Sequence, residues 1–205
     1  IGHFALQNQN VTDGSGTYNV AVGYNAGNDI TTGTLNTLVG GLSGDALTDG
    51  SGNVSLGYNS LSADTRGKNS GGLGRNALAV QNLTSSTDAY NIAIGRAAGG
   101  AITTGLKNTI IGSLAGDALT DADFNTAIGN NSLSADTKGN RTVAIGHGTL
   151  TTQNFTSSTD THNTAVGFGA GNAVTTGQNN TLIGANAGDA TDDGGNNVAV
   201  GKSAL

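Results

Sequence analysis

The chain has 205 residues, with 35 glycines, no proline, cysteine, methionine or tryptophan, and a net charge of -6. Without cysteine there is neither a disulfide framework nor a thiolate metal site. Without a basic stripe there is nothing to hold a phosphate backbone, so nucleic acid is not expected as a partner, and no apolar run is long enough to place these residues across a bilayer.

All 14 acidic residues are Asp. A vocabulary of Asn, Thr, Gly, Val and Ile favours strands and turns, and predicts an all-β chain with almost no helix. From the N-terminus onward one phrase recurs, first as Asn19-Val20-Ala21-Val22-Gly23 and last as Asn197-Val198-Ala199-Val200-Gly201. Its closing glycine stands at positions 2, 23, 40, 57, 74, 95, 112, 129, 146, 167, 184 and 201, giving spacings of 17 interrupted by 21. The spacings sum to a super-period of 72 that maps Gly2 onto Gly74 and Gly146. Repeats of this length predict a parallel β-solenoid in which each unit buries its apolar face against its neighbours. The chain reads as one segment, 1–205, of 12 rungs in super-repeats 1–72, 73–144 and 145–205, cut at both ends from a longer fibre. Twelve rungs at about 4.8 Å make a body on the order of 55 Å long.

Counting from each marker glycine, position -1 is always aliphatic (Val22, Ile94, Ile111) and position -3 is mostly Val, Ile or Thr. Strand alternation puts these two positions on one face, which is expected to be the core. Position -2 then points the other way. It is mostly Ala, but Leu38, Ile110 and Leu182 occupy it in corresponding rungs, and these three are expected to form an interchain face. After the glycine, position +4 is Leu (Leu61, Leu78, Leu133, Leu150) or Gly, and where it is Gly an aliphatic residue stands at +7 (Ile30, Leu47, Ile102, Leu119, Val174). One space in the coil is thus expected to be filled from either of two backbone positions.

Position -4 is Asn19, Asn36, Asn53, Asn91, Asn108, Asn125, Asn163, Asn180 and Asn197. Stacking like over like predicts a hydrogen-bonded ladder, interrupted at the rungs closing on Gly74 and Gly146, where this Asn is missing. The longer spacings after those rungs place extra residues in 81–90 and 153–162, expected as protruding loops. Thr84, Ser85, Ser86, Thr87 and Tyr90, with Phe155, Thr156, Ser157, Ser158 and Thr159, are the candidate receptor-contacting residues.

The phrases Asn-Val-Ala-Val-Gly, Asn-Ile-Ala-Ile-Gly and Asn-Thr-Ala-Ile-Gly, followed by x-x-Ala/Ser, resemble the head repeats of trimeric autotransporter adhesins of the YadA type. The form Asn163 to Gly171 is also similar to repeats of bacteriophage tail fibres. The resemblance covers the whole chain and implies a left-handed parallel β-roll with three chains about a common axis. Here the repeats are longer than the family's usual ones and carry regular insertions.

Sites of chemistry are not expected. His3, His147 and His162 fall at loop positions without a G-x-S-x-G elbow, and Asp64, Asp88, Asp136 and Asp160 fall in turns, where Asp serves the backbone. Gly71 to Asn76 approximates a calcium-binding nonapeptide once, and Asp121, Asp123, Asp192 and Asp193 lack a convergent set of oxygens. Gly167 to Gly171 has no helix after it to make a phosphate loop, and Asn82 and Asn154 open sequons that an Asn- and Thr-rich chain generates by chance. No catalytic residue, cofactor or metal ligand is therefore assigned. The expected function is that of a non-enzymatic, adhesive fibre segment. It would be a homotrimer on a virion or bacterial surface, extracellular, and would present a region for a host-surface receptor or glycan. A polysaccharide-depolymerising spike and an ice- or surface-binding solenoid are the alternatives.

Overall fold

The computed structural model describes residues 1–10 and 16–205. Among them there is no helix. Fifteen short strands occur in chain order: β1 Val20–Val22, β2 Thr37–Val39, β3 Val54–Leu56, β4 Gly67–Lys68, β5 Gly71–Leu73, β6 Thr87–Asp88, β7 Ile92–Ile94, β8 Thr109–Ile111, β9 Thr126–Ile128, β10 Gly139–Asn140, β11 Val143–Ile145, β12 Thr159–Asp160, β13 Thr164–Val166, β14 Thr181–Ile183 and β15 Val198–Val200. The eleven three-residue strands form one parallel sheet in chain order, and each is the triplet that precedes a marker glycine. The chain is a β-solenoid.

Register follows the repeat. Val20, Ala21 and Val22 pair with Thr37, Leu38 and Val39, and across a 21-residue spacing Gly71 and Leu73 still pair with Ile92 and Ile94. The marker glycine is dictated by this stacking. Gly112 has φ +134, and a Cβ there would lie 2.4 Å from the carbonyl oxygen of Gly129 in the next rung. A side chain could be accommodated only by opening the sheet.

The two strand faces are the reverse of the sequence expectation. The middle residue of each triplet points inward, so Leu38, Ile110 and Leu182 are fully buried within a single chain and do not form an interchain face. The residues at -1 and -3 point outward and are exposed or half-buried. Because side chains alternate with a period of two, a one-residue error of parity exchanges the faces completely. The physical reason lies in volume. The coil is narrow, so -2 is normally Ala, and it is large only where position +4 is glycine both in its own rung and in the one before. Built Cβ atoms on Gly27 and Gly44 would meet Leu38 at 2.7 and 2.8 Å, and those on Gly171 and Gly188 would meet Leu182 at 2.8 and 2.7 Å. A Cβ on Gly116 would meet Ile110 at 3.1 Å, while one on Gly99 would meet Ile102 at 2.9 Å and Leu78 at 3.3 Å. Conversely, -2 is Gly72 or Ala144 where +4 is a buried leucine in both rungs, Leu61 with Leu78 and Leu133 with Leu150, and a Cβ on Gly72 would meet Ser60 Oγ at 2.6 Å.

The exchange between +4 and +7 takes place as expected. Leu61, Leu78, Leu133 and Leu150 fill the interior from +4, and Ile30, Leu47, Ile102, Leu119 and Val174 fill it from +7, all fully buried. The leucines at +4 adopt positive φ (Leu61 52°, Leu150 49°), a conformation that costs a branched residue roughly 1–2 kcal/mol and that core burial offsets.

Candidate functional site

The Asn ladder runs up the interior beside the sheet, but its bonds go mainly to the main chain. The Oδ1 of Asn36 accepts the N–H of Asn53 at 3.0 Å while its Nδ2 donates to the Gly50 carbonyl at 2.9 Å. Asn19, Asn91, Asn108, Asn163 and Asn180 repeat the pattern toward the next rung, Asn53 and Asn125 direct Oδ1 to Ser70 and Thr142, and Asn197 ends the file by donating its N–H to Asn180. Direct amide-to-amide contacts supplement this in two places, Asn36 to Asn19 and Asn108 to Asn91, each at 3.2 Å. Each buried amide thereby satisfies main-chain groups of successive coils that would otherwise be left unpaired.

The interruptions are spliced by glutamine. Gln81 Oε1 accepts from Asn91 Nδ2 at 2.9 Å, and Gln153 Oε1 from Asn163 Nδ2 at 2.8 Å. The same glutamines donate to fully buried carboxylates, Gln81 to Asp64 and Gln153 to Asp136, both at 2.6 Å. Asp136 also accepts the N–H groups of Gly139 and Phe155, each at 3.0 Å, and Asp64 those of Gly67 at 3.0 Å and Leu83 at 3.1 Å. Burial pushes the Asp136 carboxyl above its ordinary value, and the bonds from Phe155, Gln153, Gly139 and Lys138 partly offset this. These acids staple the insertions to the coil and have no oxygen left for a substrate. The recurrence of Gln9, Gln81 and Gln153 at the 72-residue period was the signal in the sequence that marked this network.

The insertions are not free loops. Strand β6 pairs in parallel with β4, and β12 with β10, making two small secondary sheets beside the main one. Leu83 and Phe155 are plugged into the body, each only 6 % exposed, so Phe155 is not available as a receptor anchor. Exposed are a three-residue tip, Thr84, Ser85 and Ser86 in one insertion and Thr156, Ser157 and Ser158 in the next, and the flanking Asn82, Asp88, Asn154, Asp160 and His162. Thr87 and Thr159 are half-buried strand residues, and Tyr90 projects at 52 % exposure beyond the insertion. The polar insertion closes down because its main chain has donors and acceptors to satisfy, and the preceding rung offers an edge.

The large feature that remains is the outer face of the main sheet. Val20, Val22, Val54, Leu56, Ile92, Ile94, Val198 and Val200 are exposed there, and Ile111, Ile128, Val143, Ile145 and Val166 are half-buried, so an unbroken aliphatic file runs along the molecule at -1 beside a mixed file of Val, Ile and Thr at -3. At about 4.8 Å per strand and 3.3 Å per residue, the aliphatic positions cover on the order of 400 Å². A soluble monomer rarely exposes a contiguous apolar patch larger than a few hundred Å². Beside it, at position -5, lies a file in which Lys107 Nζ stands 5.0 Å and Arg141 Cζ 4.8 Å from the Phe124 ring centre, and Arg141 also pairs with Asp160 at 3.0 Å. At +1, His147 stacks on Phe168 with ring centres 5.3 Å apart. Aromatic and arginine side chains around an aliphatic strip are the usual anatomy of a protein interface.

The remaining sequence candidates are engaged locally. Gly71–Leu73 is a strand of the main sheet, Asp123 Oδ1 accepts the Leu106 N–H at 2.7 Å, and Asp121 faces Lys138 at 3.5 Å. Among the described residues no group of three or more His, Cys, Asp or Glu converges, and no helix is long and apolar enough to cross a membrane. Compared with family models, with curated proteins and with solved structures, the chain matches none.

Proposed function

We propose that the chain is a stiff, non-enzymatic segment of a homotrimeric surface fibre whose copies associate through the aliphatic face of the main sheet and together carry a receptor-binding region. The observation that supports this is the continuous outward file of Val, Ile and Leu on eleven strands, which a solitary chain leaves in water. Burying about 400 Å² of apolar surface per copy yields about 10 kcal/mol at 25 cal/mol per Å², before the cost of association is subtracted. With the flanking -5 and +1 files the contact area approaches the roughly 800 Å² per partner of a stable interface. Three-fold symmetry and placement on a virion or bacterial surface come from the resemblance to adhesin and tail-fibre repeats.

Within such a fibre the rungs provide stiffness with few side-chain types, and the exposed tips 84–86 and 156–158 with Tyr90 are the parts of the insertions that meet a receptor or glycan. A depolymerase gains no support from Asp64 and Asp136, which are saturated by protein donors. Ice binding gains none from the outward -3 file, because Val54, Gly71, Ile92 and Val143 interrupt its threonines. Sedimentation equilibrium tests assembly. A mass of about 60 kDa, three times the 20.0 kDa chain, is expected, and a monomer at micromolar concentration would refute the proposal.

A further inference from the structure

Position +5 lies on the turn beyond the sheet face, and among the rungs only Gly100 leaves it without a side chain; the equivalents one super-period away are Asn28 and Asn172. The backbone does not require this glycine. Gly100 is absent from the residues of positive φ, and a Cβ there would meet nothing closer than the Ala97 carbonyl oxygen at 3.1 Å. The missing side chain contributes to an open depression of about 460 Å³ lined by residues including Asn59, Asn76, Val80, Ala97, Gly100 and Asp117. That volume falls in the range of small-molecule sites, about 300–1,000 Å³.

The lining has a definite chemistry. Asp117 lines it with a half-buried carboxylate, and burial raises its pKa; its Oδ1 is enclosed, as is that of Asp45 one super-period earlier. Asn59 Nδ2 donates to Asn76 Oδ1 at 3.3 Å, which leaves Asn59 Oδ1 and Asn76 Nδ2 unused among the described residues. Val80, Ala97 and Gly100 supply an aliphatic wall. No aromatic ring lines the depression, and its one charged lining group is the Asp117 carboxylate, which would repel an anion, with Arg96 acting on that carboxylate from outside the lining. What fits is a small neutral molecule with several hydroxyl donors, a few acceptors and one C–H face. We propose that this depression binds a single uncharged sugar residue, with Asp117 and the two amides bonding its hydroxyls and Val80 and Ala97 packing against its ring. The lining residues belong neither to the aliphatic files of the main sheet nor to the insertion tips.

The repeat itself supplies variants that the fold already tolerates. Gly100→Asn reproduces what Asn28 and Asn172 do at the same point, and Asp117→Ala reproduces Ala79. Backbone amide spectra of the folded protein are recorded during titration with the methyl glycosides of glucose, galactose, mannose and N-acetylglucosamine. At least one is expected to shift the amides of Asn76, Gly100 and Asp117 with a Kd of roughly 1–10 mM, as befits a monosaccharide in a shallow site. The amides of Asn28 and Asp45, in the equivalent but filled position, should not move. Gly100→Asn is expected to abolish the response, and Asp117→Ala to weaken it about tenfold or more. The inference is overturned if none of the four glycosides shifts these amides. It is equally overturned if the shift survives in Gly100→Asn, or if methyl glucuronide binds as tightly as methyl glucoside.

Discussion

Replacing Ala144 by leucine separates an inward from an outward position -2. The same column already holds Leu38, Ile110 and Leu182, so if it faced a neighbouring chain the added bulk would be neutral or would strengthen association. In the structure Ala144 is fully buried, as are Leu133 and Leu150, which already occupy the coil from +4. Three extra carbons then overpack the interior at a cost of about 1–3 kcal/mol. The complementary change, Ile110→Ala, removes a fully buried side chain that packs over Gly116, where Leu119 is the neighbour able to relax into the space. Its cost should lie in the usual large-to-small range, about 2–5 kcal/mol. Urea denaturation followed by circular dichroism gives both values from the midpoints and slopes. An Ala144→Leu variant as stable as the parent, or more stable, would refute the inward assignment.

Other consequences are equally specific. Gly112→Ala should cost about 2–3 kcal/mol or more, because its Cβ would sit 2.4 Å from the Gly129 carbonyl at φ +134. Gly71→Ala, where a Cβ meets nothing within 4 Å, should stabilise by about 0.4–1 kcal/mol, and thermal denaturation ranks the two. Because burial raises the Asp136 pKa above its unfolded value, the folded state takes up the proton first. The stability contribution of this group therefore grows as pH falls through the folded pKa toward about 3.9, and is lost above it. Denaturation of the parent and of Asp136→Asn from about pH 7 to pH 4 should show the parent gaining relative to the variant, and a difference independent of pH would reject the assignment. Replacing Thr84, Ser85, Ser86, Thr156 and Ser157 by alanine should change stability by less than about 0.5 kcal/mol per site and reduce attachment to the target surface, whereas undiminished attachment removes the tips from the binding account.

The repeat, the parallel register and the exchange between Leu at +4 and an aliphatic at +7 were legible because each is written as a fixed offset from a glycine that only glycine can supply. The parity of the strand was harder to read. Both of its faces are apolar, so hydrophobicity alone does not separate them. The distinguishing mark is size, since Leu38, Ile110 and Leu182 appear only where Gly27 with Gly44, Gly99 with Gly116, or Gly171 with Gly188 stand at +4. The ladder of Asn19 and its equivalents was legible as a file, but the destination of its bonds depends on carbonyls 14 residues later that no local pattern marks. In the insertions, Leu83 and Phe155 read as parts of exposed segments, and the buried acids Asp64 and Asp136 that hold them read as ordinary turn residues. Their role follows from the pairing with Gln81 and Gln153 across a full rung, a non-local contact.

The claim on which the functional reading rests is that the outward aliphatic files are covered by further copies of the chain. Ile94→Asp combined with Ile111→Asp puts two carboxylates on adjacent rungs of that face without touching the interior. Sedimentation equilibrium of this variant should give the 20.0 kDa mass of a single chain with an unchanged circular dichroism spectrum, whereas an assembly of about 60 kDa that survives both charges would contradict the account.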